Sequence, residues 1–145
     1  MSSDTCIQRG IEFSPKSGKV LLVDEDPQDL ELYRTLLEGQ GFKTLACSSF
    51  EWALQFLDAE PFDFVLVSQG SRAFEGRVVL ERAMHQNRHR AALVVTHCID
   101  MACYLEAMQM GALDYLEKPI APTDLLRFVN THIQTGTFNS QVGAA

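Results

Sequence analysis

The sequence predicts a doubly wound α/β domain: five parallel strands in the order 2-1-3-4-5, with helices on both faces of the sheet. Three observations carry this expectation. Short apolar runs alternate with segments whose apolar residues recur at helical spacing, all the way from Val20 to Ile133. The runs lack the apolar/polar alternation of half-exposed strands, as strands covered on both faces should. Polar groups then stand at the ends of four of the runs, at Asp24-Glu25, Ser68, Thr96 and Lys118. Open α/β sheets gather their functional groups at that edge.

Residues 1–18 are polar, with Ser-Pro and Ser-Gly steps, and read as a flexible leader. Val20-Leu21-Leu22-Val23 is the first strand. Asp26-Pro27 supplies an N-cap and a first helical residue, Leu30, Tyr33, Leu36 and Leu37 form the apolar stripe, and Gly39 and Gly41 stop the helix. Thr44 to Cys47 is a weak second strand, after which Ser48 and Glu51 suggest a capping box opening a helix through Trp52, Phe56 and Leu57. Phe64 to Val67 is the third strand, followed by a helix from Gly76 to Gln86. Ala92 to Thr96 is the fourth, with a helix from Asp100 to Met110 closed by Gly111. Leu113 to Glu117 is the fifth, and Thr123 to Ile133 the last helix. The domain is thus expected over 19–133, with 134–145 as a flexible tail. Parallel neighbours need crossovers, crossovers are right-handed, and the flavodoxin-like (βα)5 order follows.

Composition narrows the function. A chain of 145 residues, 46% hydrophobic and 21% charged, has the size and make-up of one globular domain. Its net charge of −7 gives it no electrostatic reason to bind nucleic acid or an anionic membrane. Cys6, Cys47, Cys98 and Cys103 form no C-x-x-C pair and read as reduced thiols. The first 18 residues lack the apolar core of a signal peptide, and no apolar run is long enough to span a bilayer. A cytoplasmic location is expected.

The strand-end residues carry a specific resemblance. Val23-Asp24-Glu25-Asp26-Pro27, Thr96 after its apolar strand, and Gly111 to Pro119 (GALDYLEKP), in this order and spacing, resemble the receiver domain of two-component response regulators over about Lys19 to His132. The resemblance implies that Asp24 and Glu25 are the acidic pair that holds Mg²⁺, that Thr96 contacts phosphoryl oxygens, and that Lys118 pairs with the phosphate. It also implies a cis bond before Pro119 and an aromatic switch at Tyr115. Partner proteins, or a second copy, would dock on the fourth helix, fifth strand and fifth helix. The chemical logic of such a site is electrostatic, because metal and lysine neutralise charge spread over the transferring oxygens.

The departure is at the acceptor. Five residues after Asp63, where the family carries its phosphate-accepting aspartate, this chain has Ser68, and Gly76 eight residues later fixes the register. A carboxylate is already ionised at neutral pH, whereas a serine hydroxyl needs a base. No histidine lies near Ser68 in sequence, and Lys118 beside two acids stays protonated. Metal binding weakens too: two carboxylates and one lysine leave a charge of about −1, against about −2 with a third carboxylate. The expectation is a regulatory interaction module, not an enzyme, that requires no cofactor and binds Mg²⁺ weakly at most.

Two other readings are kept. A displaced carboxylate, Asp24, Asp63 or Glu75, could accept phosphate instead. A flavodoxin-like ligand site would need a Ser/Thr/Gly-rich loop after the first strand, where Asp24-Glu25-Asp26-Pro27 would repel phosphate. His85 and His89 have metal-ligand spacing but sit among Arg82, Arg88 and Arg90, which favours a solvated helix face. His97 occupies a position where a small residue would leave the pocket open. Met101, Tyr104, Leu105 and Met108 form a stripe that is part core and part candidate interface.

Overall fold

The structure, a computed structural model, describes residues 18–144, with side chains to residue 133. The expected leader therefore lies outside the described residues, apart from Gly18. Five strands, β1 (Lys19–Val23), β2 (Lys43–Cys47), β3 (Phe64–Ser68), β4 (Ala91–Thr96) and β5 (Asp114–Glu117), form one sheet in the order β2-β1-β3-β4-β5. Every neighbouring pair is parallel, with Val23 beside Val67 and Ser68 beside Val95. The helices are α1 (Pro27–Gly39), α2 (Phe50–Ala59), α3 (Arg77–Gln86), α4 (Met101–Gln109) and α5 (Pro122–Ala144).

Successive strand residues face opposite sides, so each strand feeds two cores. Val20, Leu22, Phe64, Leu66, Leu93 and Val95 pack against Leu30, Tyr33 and Leu37 of α1 and Leu125, Val129 and Ile133 of α5. Leu21, Val23, Val65, Val67 and Val94 meet Ala53 and Leu57 of α2, Leu80 and Ala83 of α3 and Ala107 of α4. β1, β3 and most of β4 are buried on both sides, which explains their unbroken apolar sequences.

Helix ends follow local chemistry. Asp26 caps α1, its carboxylate accepting from the Gln28 N–H, and Pro27 occupies the first turn, where a missing N–H costs nothing. At its other end, Gly41 at φ 96° lets Phe42 N–H reach back to Leu37 O, closing the helix.

Two boundaries differ from expectation. The α2 cap is Ser49, not Ser48: the Ser49 hydroxyl accepts from Trp52 N–H, which puts Glu51 too early in the turn to reach back in a capping box. Adjacent serines offer the same hydroxyl, and burial of Ala53 and Leu57 selects the register. The last helix also continues beyond 133, through Ala144. Leu125, Val129 and Ile133 anchor it, no proline interrupts 123–144, and propagation fixes only one further residue per hydrogen bond. Among the described residues no helix is long and apolar enough to cross a membrane.

Candidate functional site at the carboxyl end of the sheet

β1 delivers Asp24 to a position directly after its last buried valine, and β5 delivers Lys118 from beyond the two intervening strands, β3 and β4. Lys118 Nζ lies 2.7 Å from Asp24 Oδ2 and 2.9 Å from Asp29 Oδ2, the latter in the first turn of α1. The approach to Asp24 is within ion-pair range but does not meet the geometry of an aligned hydrogen bond. Asp24 Oδ1 accepts from the Asp26 N–H at 2.9 Å. Lys118 is held at its root by its own N–H donating to Thr96 O at 2.7 Å, and the Lys118–Pro119 bond is cis.

Burial is the largest influence on both charges. It pushes the Asp24 carboxyl above its usual range, a shift that Lys118 and the Asp26 N–H oppose and Glu25 reinforces. Burial alone would lower the Lys118 ammonium, but Asp24 and Asp29 together outweigh it and the net direction is upward. The lysine therefore stays charged between two acids. Glu25, expected to share this pocket, is exposed and makes no contact with Lys118; Asp29 takes its place. A strand's alternation accounts for this, since consecutive residues after β1 cannot both turn inward.

Ser68 ends β3 and is buried, its hydroxyl accepting from the Gly70 N–H at 3.1 Å. The loop that follows folds on itself. Glu75 accepts from Ser71 N–H and from the Ser71 hydroxyl, and Gly76 N–H donates to Gln69 O. Gly76 comes so close to β3 that an added Cβ would stand 1.9 Å from the Ser68 carbonyl oxygen. Only glycine permits that approach.

At the end of β4, Thr96 is buried and its hydroxyl closes a turn, donating to Cys98 O at 2.9 Å and accepting from Cys98 N–H at 3.0 Å. His97 is exposed, with Nε2 4.0 Å from Asp29 Oδ2 at the rim. Tyr115 points inward. Its hydroxyl donates to Gln69 Oε1 and accepts from Asp100 N–H, and its ring meets Tyr104 edge-on at 5.6 Å. Burial raises the Tyr115 phenol, partly offset by the Asp100 main chain and the Thr96 hydroxyl.

The remaining candidates separate cleanly. His85 and His89 are both exposed. Asp26, Asp29 and His97 have ligand atoms within 4.8 Å of one another, but Asp29 is already engaged by Lys118. The donors poorly suit a Mg²⁺ that wants several anionic oxygens: Asp24 faces an ammonium, Glu25 is turned out and residue 68 carries a hydroxyl. Asp63 lies at the opposite end of β3, accepting from Lys19 N–H. That is roughly 17 Å from Ser68 along a five-residue strand.

On α4, Met101 and Leu105 are 65% and 50% exposed, and Ile99 just before it 55%. Met108 instead packs against the core beneath.

Asp29 and Gln69 were missed by sequence reading. Asp29 had a usable signal, a fourth acid one helical turn from the cap at a crowded strand mouth. Gln69 had none, because a glutamine after a strand looks like loop.

Residues 20–130 match the family model described as the response regulator receiver domain. The sensor histidine kinase GacS of Pseudomonas protegens is 35% identical over 122 residues, covering 81% of this chain but 13% of its own. The alginate biosynthesis transcriptional regulatory protein AlgB of Pseudomonas aeruginosa is 32% identical over 112 residues, covering 77% of this chain and 25% of its own. This chain thus spans a quarter or less of these two relatives. A CheY-like receiver domain structure from Methanospirillum hungatei superposes with a TM-score of 0.78 at 23% identity, covering 85% of this chain and 98% of that one, and supports the fold. On the family-model match and these identities, the chain belongs to the response regulator receiver domain family.

Proposed function

We propose that this receiver is a protein-interaction module in two-component-type signalling or transcription control that works without aspartyl phosphorylation. The carrying observation is Ser68 at the end of β3, buried and bonded to the Gly70 N–H, in a pocket whose lysine is already neutralised by Asp24 and Asp29. A hydroxyl becomes a phosphoryl acceptor only when a base takes its proton, and a charged ammonium cannot. None of the three displaced carboxylates suits the task. Asp63 is at the wrong end of the sheet, Glu75 is tied to Ser71, and Asp24 is buried against Lys118. We read Mg²⁺ binding as weak for the same reasons, and the chain as regulatory, not catalytic.

The surface we assign to partners, or to a second copy, is the face of α4, β5 and α5. Ile99, Met101, Tyr104 and Leu105 give it an exposed apolar patch at the start of α4. The test of the function is incubation of the whole chain with radiolabelled acetyl phosphate and Mg²⁺. The reading expects no incorporation. Ready labelling of both the wild type and Ser68→Ala would reveal a displaced acceptor and overturn it.

A further inference from the structure

We propose that Gln69 is a positioning residue that holds Tyr115 inward, so that the start of α4 and its apolar patch keep one arrangement with no ligand at residue 68. The inference rests on the interaction-module reading for its purpose, but the geometry that carries it is independent of phosphorylation.

Gln69 is an unusual residue to bury, yet it is 1% exposed. Each of its polar groups has a partner. Its N–H donates to Val95 O and its carbonyl accepts from Gly76 N–H. Its amide Nε2 donates to Ser71 O, and its Oε1 accepts from the Tyr115 hydroxyl. The side chain is thereby fixed at both ends of its amide, with the acceptor presented towards β5.

The phenol then serves as a relay. With its O–H donating to Gln69 Oε1, the Tyr115 oxygen accepts from Asp100 N–H at 3.0 Å. Asp100 is the N-cap of α4, its carboxylate accepting from Cys103 N–H at 3.1 Å. The Tyr115 ring simultaneously supports Tyr104, which stands beside Leu105 and Met101 on the exposed face. Turning Tyr115 outward would leave the buried Gln69 Oε1 without its donor and the half-buried Asp100 N–H without its side-chain acceptor. It would also remove the edge contact under Tyr104. Residue 69 therefore governs residue 115, and residue 115 governs how the patch begins.

Hydrogen exchange of the Asp100 amide and the Tyr104–Tyr115 ring contact, both read by NMR on the whole chain, test this. Gln69→Leu removes the acceptor while keeping an apolar volume. Tyr115→Phe removes the hydroxyl from the other end of the same bond. Each should speed Asp100 exchange by about tenfold or more, and the double variant should show no further increase. Leu66→Ala, a core change on the opposite face of the sheet from Tyr115, should lower stability without altering the Tyr104–Tyr115 contact. Unchanged Asp100 exchange in a folded Gln69→Leu would overturn the proposal. If that variant fails to fold, unchanged exchange in Tyr115→Phe would overturn it equally. Phosphate labelling of the wild type with these NMR features intact would refute the interaction-module reading and leave the Gln69 relay standing.

Discussion

Lys118 Nζ sits 2.7 Å from Asp24 Oδ2, with the two side chains only 4% and 1% exposed. A buried pair of this kind is costly to break from one side, because the survivor keeps its desolvation penalty and loses its counter-charge. Asp29, a quarter exposed, is the second partner that keeps the lysine charged.

Lys118→Met should therefore destabilise the domain by about 3–5 kcal/mol at neutral pH, leaving Asp24 buried and uncompensated. Asp24→Asn should cost much less, since Lys118 retains Asp29 and the amide oxygen can still accept from Asp26 N–H. Combining the two should recover much of the loss. Urea unfolding of the four proteins gives the cycle, and strictly additive losses would show that the two residues are not coupled.

Ser68→Asp should restore the ionised nucleophile and the third carboxylate at a strand end whose other residues are in place. Mg²⁺ affinity should rise and acid-labile phosphate incorporation should become detectable, side by side with an unlabelled wild type. Without metal, the variant should be less stable, because carboxylates sharing a site repel and raise one another's pKa. Isothermal titration, phosphate labelling, and thermal melts with and without Mg²⁺ measure the three effects.

Gly76→Ala should destabilise by at least about 1–3 kcal/mol, an overpacking cost. The new methyl meets a main-chain carbonyl, which cannot rotate away as a side chain would. Chemical denaturation reads the change, and a neutral result would mean that α3 slides freely on β3.

Alkaline stability has a definite sign. Lys118, Tyr33 and Tyr115 all have folded pKa values above their unfolded ones, the tyrosines chiefly through burial. Each group then holds its proton more tightly when folded. Its contribution is complete below its unfolded pKa, near 10, and is lost as pH rises from there through the folded value. Stability measured by denaturant titration should fall steeply above about pH 10. In Lys118→Met the fall should be shallower.

Where the chain associates through the α4 patch, Leu105→Glu should weaken association by about tenfold, as expected for a half-exposed apolar contact replaced by a charge. Sedimentation across a concentration series, with circular dichroism to confirm folding, measures it. Unchanged association in a folded variant would remove this face from consideration.

The strands could be read from sequence because β1, β3 and β4 are buried on both faces and so are written in nearly pure apolar residues. Three strand ends were legible for the same reason: Asp24, Ser68 and Thr96 interrupt those runs abruptly, whereas Lys118 follows the mixed sequence of β5 and stands out through the proline after it. What could not be read depends on contacts between distant segments. Asp29 joins the site only because α1 folds back over the strand mouth to Lys118, 89 residues away in sequence. Gln69 matters only because β5 brings Tyr115 beside it. Ser48 and Ser49 are chemically equal as caps, and the core chose between them. Glu25 looked equivalent to Asp24 until the backbone turned it out.

Gly76 approaches the carbonyl of Ser68, not its side chain. The two neighbouring constraints are consequently separable. What residue 76 must be is set by the path of the main chain and is blind to whichever group residue 68 carries. A hydroxyl, a carboxylate or an amide at 68 would be held at the same place by the same frame. The chemistry of this strand end can be exchanged like a fitting while the mounting stays fixed.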